Sequence, residues 1–576
     1  MDAQLQGSNP KLQTVKYVNI LPEGKQGKYK QNERVDFMPD PSTVPYFDGK
    51  QSYLNIRVRN TSTFVAGNSA NAISATVGTP LCFPAHIGAN AMINRCLIRA
   101  KDNSQVIEDL EAYNQFNGIK NAYTHDQDIF KTLGRISGVA GRTCQPMNQT
   151  VDNLAINYFL PNGSMGTTGA TANAIVGGNQ PIDASFCVPV ESGLFSAFGG
   201  QHHVIPNLDV PIHQQLFLEK ANIALQALCS KFFKLTTIEG VAVSEVVALS
   251  PFADHAADLT SGKTQLAIKP AQCNTTLTPD GVAYTPQMCA FRVGMPVVVG
   301  PDTRIITKVE INGGTSSNQI VLTVDGGFTS ATVGDVTFKM APVVRSYEID
   351  KIELKCLLTI PDAPTMRMIR SQMTKGISFT SIQLYKQSSP AALLNAVLDI
   401  PEALTRAGSL LAVPVQQDNL ESLDIQNSYM YCRPDAALQQ ATGLASGNTN
   451  QTTYQWQVGG LLLPNLAVET NTATNANSDN AIFFNQQVMA LRHCLKVQSL
   501  ADSPKARKAQ DIDLDLPFFY PLSLAPQGES FNIIDSAPQL RINNSVGTDT
   551  TAKLYHIFVV HTRILKSSNM GAEISF

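Results

Sequence analysis

Leu54, Ile56 and Val58 alternate with Asn55, Arg57 and Arg59, the period-2 pattern of a strand with one buried face. Phe186, Val188 and Val190 repeat it. So do Ile352, Leu354, Cys356, Leu358 and Ile360, with Glu353 and Lys355 directed outward. Late in the chain, 552–565 (AKLYHIFVVHTRIL) forms a long aromatic and β-branched run. Stretches rich in Gly, Asn, Thr and Pro, such as 162–180, separate these strands. Helical segments are few, with 106–115 (VIEDLEAYNQ) and 389–398 the best candidates. Many strands, few helices and no strand–helix–strand rhythm predict an all-β sandwich protein.

The texture changes over 237–342, which is rich in Val, Thr and Gly. Short apolar runs (VGMPVVVG, RIITKVEI, IVLTVD) are joined by Gly313-Gly314 and Gly326-Gly327 turns, predicting a small β-barrel. It lies between 216–225 and the strand at 349–360, so it is expected as an insertion into the first sandwich. Such insertions are tolerated because loop-closure entropy grows slowly with length. Residues 1–34 hold six basic and three acidic side chains and few apolar ones before Val35, which predicts an extended arm.

With 576 residues the chain exceeds what one hydrophobic core serves. Only 15% of it is charged, against about 25% in typical soluble proteins. Asn, Gln, Thr and Ser fill the place of charge, and such side chains lose less hydration when an interface closes. A net charge of −3 argues against broad electrostatic capture of nucleic acid. Ten cysteines occur without a C-x-x-C pair, several inside apolar runs (Cys96, Cys187, Cys356), and are expected as reduced structural thiols. The first twenty residues show no signal-peptide core, and no apolar run is long enough to span a membrane.

Catalytic chemistry finds no foothold. No His precedes Glu in an H-E-x-x-H pattern, and no G-x-S-x-G occurs. Ser261-Gly262-Lys263-Thr264 ends like a phosphate-binding loop, but Ala257 stands where its first glycine belongs. His202 and His203 are adjacent and lack a Cys or carboxylate at ligand spacing, so a turn before the next strand is the expected role. Aromatic and basic residues over 553–563 alternate with Leu554, Ile557 and Val559, which favours sheet packing over base stacking. No catalytic, cofactor-binding or metal residue is assigned, and no cofactor is expected.

Certain segments carry a family resemblance. Residues 34–59 (RVDFMPDPSTVPYFDGKQSYLNIRVR) resemble the opening of double jelly-roll major capsid proteins of polinton-like viruses, adintoviruses and virophages, including a "FxGKxSYL" step. Residues 106–115 resemble the family's "xIExxxxYN" segment. Val188–Gly193 (VPVESG) with 204–228 resembles its "IPL…L…LE.A..AL" strand pair. In the second half, 454–464 (YQWQVGGLLLP) is similar to "YQ..IGG..YP", with Leu463 where an aromatic is frequent, and 554–576 resembles the closing strand. The insertion at 237–342 departs from the family pattern.

The resemblance implies two consecutive eight-stranded jelly rolls, at 35–365 with the inserted tower 237–342 and at 366–576, behind the arm 1–34. It implies a structural subunit of a virion and no enzyme. Three copies would form a pseudo-hexameric capsomer of an icosahedral shell around double-stranded DNA, assembled in host cytoplasm or nucleus. The implied partners are neighbouring capsomers and penton and cement proteins. The arm would lie at the inner base, against neighbouring capsomers or cement protein more than in weak contact with packaged DNA, and the insertion is a candidate for receptor attachment, decoration or trimer clamping alike. A β-rich adhesin and a jelly-roll enzyme of the cupin kind compete with this reading; the second would need a His/Glu metal cluster.

Overall fold

The computed structural model describes residues 12–64, 81–124, 136–139, 159–160, 183–227, 343–389, 395–416, 452–469, 478–495, 518–524, 531–544 and 552–575, with short breaks, and strand segments between 243 and 340. Alternating segments pair into two sandwiches. The first has eight main strands among the described residues, β1 (Leu12–Ile20), β2 (Arg34–Phe37), β3 (Tyr46–Asn60), β4 (Ile93–Ala100), β5 (Val106–Leu110), β6 (Asp183–Pro189), β7 (Ile212–Leu218) and β8 (Tyr347–Pro361), with the short segments Tyr29–Lys30 and Val204–Pro206 paired beside them. The second repeats this with β9 (Ile377–Ser389), β10 (Asn395–Asp399), β11 (Ala407–Gln416), β12 (Thr452–Val458), β13 (Leu461–Glu469), β14 (Tyr520–Ser523), β15 (Gln539–Asn544) and β16 (Lys553–Ser568). Sheet orders are β1-β8-β3-β6 and β2-β7-β4-β5, then β9-β16-β11-β14 and β10-β15-β12-β13. Adding eight to each label in the first sandwich gives the second. This is the jelly-roll strand order, twice in one chain.

Neighbouring strands are antiparallel throughout, so successive connections alternate between two ends. At one end of the first roll the connections after β3, β5 and β7 meet: Leu81–Cys82 pairs with Phe159–Leu160 and Gln226–Ala227, and Thr63–Phe64 pairs with Val343–Val344. The insertion leaves from this end. Its described strands form one six-stranded antiparallel path, and no pairing among described residues closes it into the expected barrel. The opposite end carries short connections and the helix that links the rolls.

Four expectations need correction. The arm is not free over its whole length: β1 pairs with β8 from Leu12↔Pro361 to Ile20↔Leu354, and Tyr29 pairs with Ile349. Lysines in this stretch hid a strand alternation, and Lys28 pairs with Glu348. The first roll therefore starts at Leu12, not at 35. The segment 106–115 is not one helix but β5 followed by α1 (Tyr113–Thr124), with Ala112 at φ 46° marking the break. The segment 389–398 is not helical in its described part; Ala396 and Leu398 face the core from β10 while Val397 faces out. The boundary at 365/366 falls inside α2 (Ala363–Lys375), capped by Asp362, which accepts a hydrogen bond from Thr365 N at 3.1 Å. A third helix, α3 (Ser478–Leu495), joins β13 to β14 and was not expected.

Candidate functional site: the seam between the rolls

The second roll has an interior of its own, where Leu410, Ala412, Ile557 and Val559 pack with Tyr454 and Trp456. The alternate residues of the same strands, Leu411, Val413, Val415, Phe558 and Val560, belong to the core of the first roll. Strands β11 and β16 are thus buried on both faces, which explains their unbroken apolar runs. Helix α1 lies in the joint. Its Phe116 ring meets Phe558 of the second roll at 5.5 Å and Phe198 of the first at 5.2 Å. Tyr123 meets Phe519 at 5.5 Å, and its hydroxyl donates to Gln487 Oε1 at 3.1 Å.

Within this apolar joint sits a polar cluster centred on Glu108 of β5, which is fully buried. Its carboxylate accepts hydrogen bonds from Ser192 Oγ, from Gly193 N at 3.0 Å, from Leu194 N at 3.3 Å and from Ser381 Oγ of β9 at 3.0 Å. Burial pushes this carboxyl upward; the bonds from Ser192, Leu194 and Gly193 and the field of Arg563 oppose that. Arg563 donates through Nη1 to Ile107 O at 2.9 Å and through Nε to His561 Nε2 at 2.9 Å. The acceptor role of Nε2 puts the His561 proton on Nδ1, facing Val559 O at 3.3 Å. His561 is neutral, its pKa pushed down to about 3 by burial and by Arg563. His556, likewise pushed to about 3 by burial and by Lys386, donates from Nδ1 to Gln115 Oε1 at 2.6 Å. Lys120 of α1 and Glu191, the residue before Ser192, form a buried ion pair.

Backbone proximity at the joint is equally specific. A Cβ on Gly193 would lie 1.6 Å from Thr380 O and 2.8 Å from Glu108 Oε1, so only glycine lets these chains approach. Within the first roll, Gly49 leaves room for the Phe195 ring, which a Cβ would meet at 2.0 Å.

The motifs that carried the resemblance converge here. Ile107, Glu108, Tyr113 and Asn114 come from one, and Glu191, Ser192 and Gly193 from another. Glu219 accepts from Asn94 Nδ2 at 2.6 Å and Asn114 Nδ2 at 3.0 Å, and its carbonyl accepts from Tyr347 at 2.6 Å. No site was assigned from sequence; the signal lay in apolar runs too continuous for one-sided strands. The 553–563 segment packs in the sheet, with Tyr555, Ile557 and Phe558 buried. His202-His203 and Ser261–Thr264 lie outside the described residues. Cys96 and Cys356 are buried free thiols pushed up to about 12. Among described residues no three His, Cys, Asp or Glu side chains gather as a metal site. The cluster's groups are spent on one another, so what it does is hold two rolls at a fixed angle.

No family model matches the chain, and no curated protein does. Solved structures are similar over nearly its full length. The Faustovirus major capsid protein is 8% identical, over 96% of this chain and 90% of that one, with a TM-score of 0.47. The Sputnik virophage structure is 11% identical over 98% and 89%, with a TM-score of 0.42. The PBCV-1 virus capsid is 10% identical over 98% and 96%, with a TM-score of 0.40.

Proposed function

We propose that this chain is a major capsid protein, the shell subunit of a double-stranded DNA virus, working as a homotrimer whose six rolls make a pseudo-hexagonal capsomer. The observation that carries the reading is the tandem of two jelly rolls with one strand order, locked by a buried seam. A rigid two-lobed block is what threefold assembly needs to imitate sixfold symmetry. The low charge and the sequence motifs support the same reading. Its role is mechanical: enclosing a genome in a virion, in contact with neighbouring capsomers, penton and cement proteins.

The end with short connections and α2 would face inward, where tiling demands a flat base. Strand β1 begins at that end, so the stretch before it would lie there. With Lys11 as its one basic side chain, it would touch neighbouring protein more readily than DNA. The insertion leaves from the opposite end and would stand outside as a tower, available for host attachment.

Light scattering coupled to size exclusion, with negative-stain imaging, tests the reading. The expected result is a trimer with a six-lobed outline. A monodisperse monomer at micromolar concentration and moderate salt overturns it.

A further inference from the structure

The seam joins unlike parts of the two rolls. From the first come edge strand β5 and helix α1; from the second comes the outer face of β9-β16-β11-β14, with β5 against edge strand β9. This is a head-to-tail joint, and such a joint leaves one of each half unused. The unused halves are edge strand β13 on the second roll, the counterpart of β5, and the β1-edged sheet of the first, the counterpart of the β9-edged sheet; α3, the counterpart of α1, already meets α1 in the seam through Gln487.

These leftover edges hold five of the nine exposed large apolar side chains among the described residues. Leu461, Leu462 and Leu466 stand on β13 at 64%, 39% and 82% exposure, Tyr17 on β1 at 52%, and Leu21 just beyond it at 53%. Leu466 owes its position to a bulge. Tyr454 faces Val468 but Trp456 faces Leu463, so β13 carries extra residues between them. Gln455 Nε2 pins the bulge by donating to Pro464 O at 3.0 Å and Asn465 O at 3.1 Å. Edge strands are ordinarily guarded by charge; here a pinned bulge lifts a leucine into solvent.

We propose that β13 of one copy docks on the β1 edge of a second copy, with Leu462 and Leu466 against Tyr17 and Leu21. The joint made once within the chain is then repeated between chains. This rests on the capsomer reading above and names its interchain contact. The receiving face suits an uncharged partner, because its charges are already paired: Arg57 with Asp350, and Lys351 and Lys355 with Glu353. Asn485 and Arg492 are the exposed described residues on the α3 side.

The test uses the full chain. Leu462→Asp/Leu466→Asp should raise the trimer dissociation constant at least a hundredfold in light scattering, while Val397→Asp, at the opposite edge of the same sheet, leaves it within threefold. Separately, Tyr17→Cys/Leu466→Cys treated with a short bismaleimide should give chain-to-chain products on a denaturing gel that neither single variant gives. If the wild type is monomeric, the capsomer reading fails. If the wild type is trimeric, unchanged assembly of the aspartate variant together with no double-variant product overturns this contact alone.

Discussion

Ser381 on β9 donates to Glu108 on β5 at 3.0 Å, so the second roll supplies one of four hydrogen bonds holding a buried carboxylate of the first. Removing the acceptor strands four donors and takes countercharge from Arg563. Glu108→Ala is therefore expected to destabilise the chain by about 3–5 kcal/mol, the range for breaking a buried charged network. Ser381→Ala removes one bond, about 1 kcal/mol. A double-mutant cycle on the two, read by chemical denaturation, should show coupling; additive losses would mean that Ser381 does not hold Glu108.

Gly193→Ala forces a methyl group to within 1.6 Å of Thr380 O, a backbone atom that cannot rotate away. The rolls must separate locally, at about 3 kcal/mol by the usual scale of overpacking. A lowered melting temperature and faster proteolysis within α2 are expected. Gly27→Ala, with nothing within 4 Å of its added Cβ, is the control and should match wild type.

Acid should weaken the seam. His556 and His561 are held neutral, both pushed from 6.5 down to about 3. The unfolded chain takes up their protons from about pH 6.5 downward, whereas the folded chain resists until near 3. Their contribution is thus complete above pH 6.5 and lost as the pH falls toward 3. Glu108 works the other way, since its raised pKa makes the folded carboxyl the better proton acceptor. Glu219, also raised by burial, opposes the histidines in the same direction as Glu108; the histidine contribution is the one that lowers the melting temperature between pH 7 and 5. His556→Gln/His561→Gln should flatten that slope; an unchanged slope would assign the acid sensitivity elsewhere.

The one-sided strands were legible because alternation reports a single buried face, as at Leu54, Ile56 and Val58. The seam was not, because its strands are buried twice and lose the alternation that a pattern search detects. Leu410 to Val415 looks the same whether its second face meets solvent-excluding protein or an ordinary core. Glu108 was visible as a letter in a motif, yet its neighbours Ser192 and Ser381 are 84 and 273 residues away, beyond any local pattern. Strand β1 was hidden for a different reason: Lys16 and Asn19 break the apolar run, and only pairing with β8 reveals Val18 and Ile20 as inward.

The insertion can be removed without touching either core. Its stem is clasped by groups that lie outside it: Arg345 Nη1 donates to Leu225 O at 3.0 Å, and Gln226 pairs with Cys82. Val343 pairs with Phe64, closing the other side of the stem. The chain therefore leaves and returns at nearly one point, and a short linker spans the gap at little entropic cost. None of the described insertion strands pairs with a roll strand. Replacing 230–341 with a Gly/Ser linker should leave the β-sheet circular dichroism of the two rolls and the oligomer's mass per chain count intact. An Arg345→Ala change in the shortened chain should then lower its melting temperature, because Leu225 O loses its buried donor, about 1–3 kcal/mol. If the shortened chain is recovered only as aggregate, the inserted strands contribute to the core of the first roll and the stem is not a boundary.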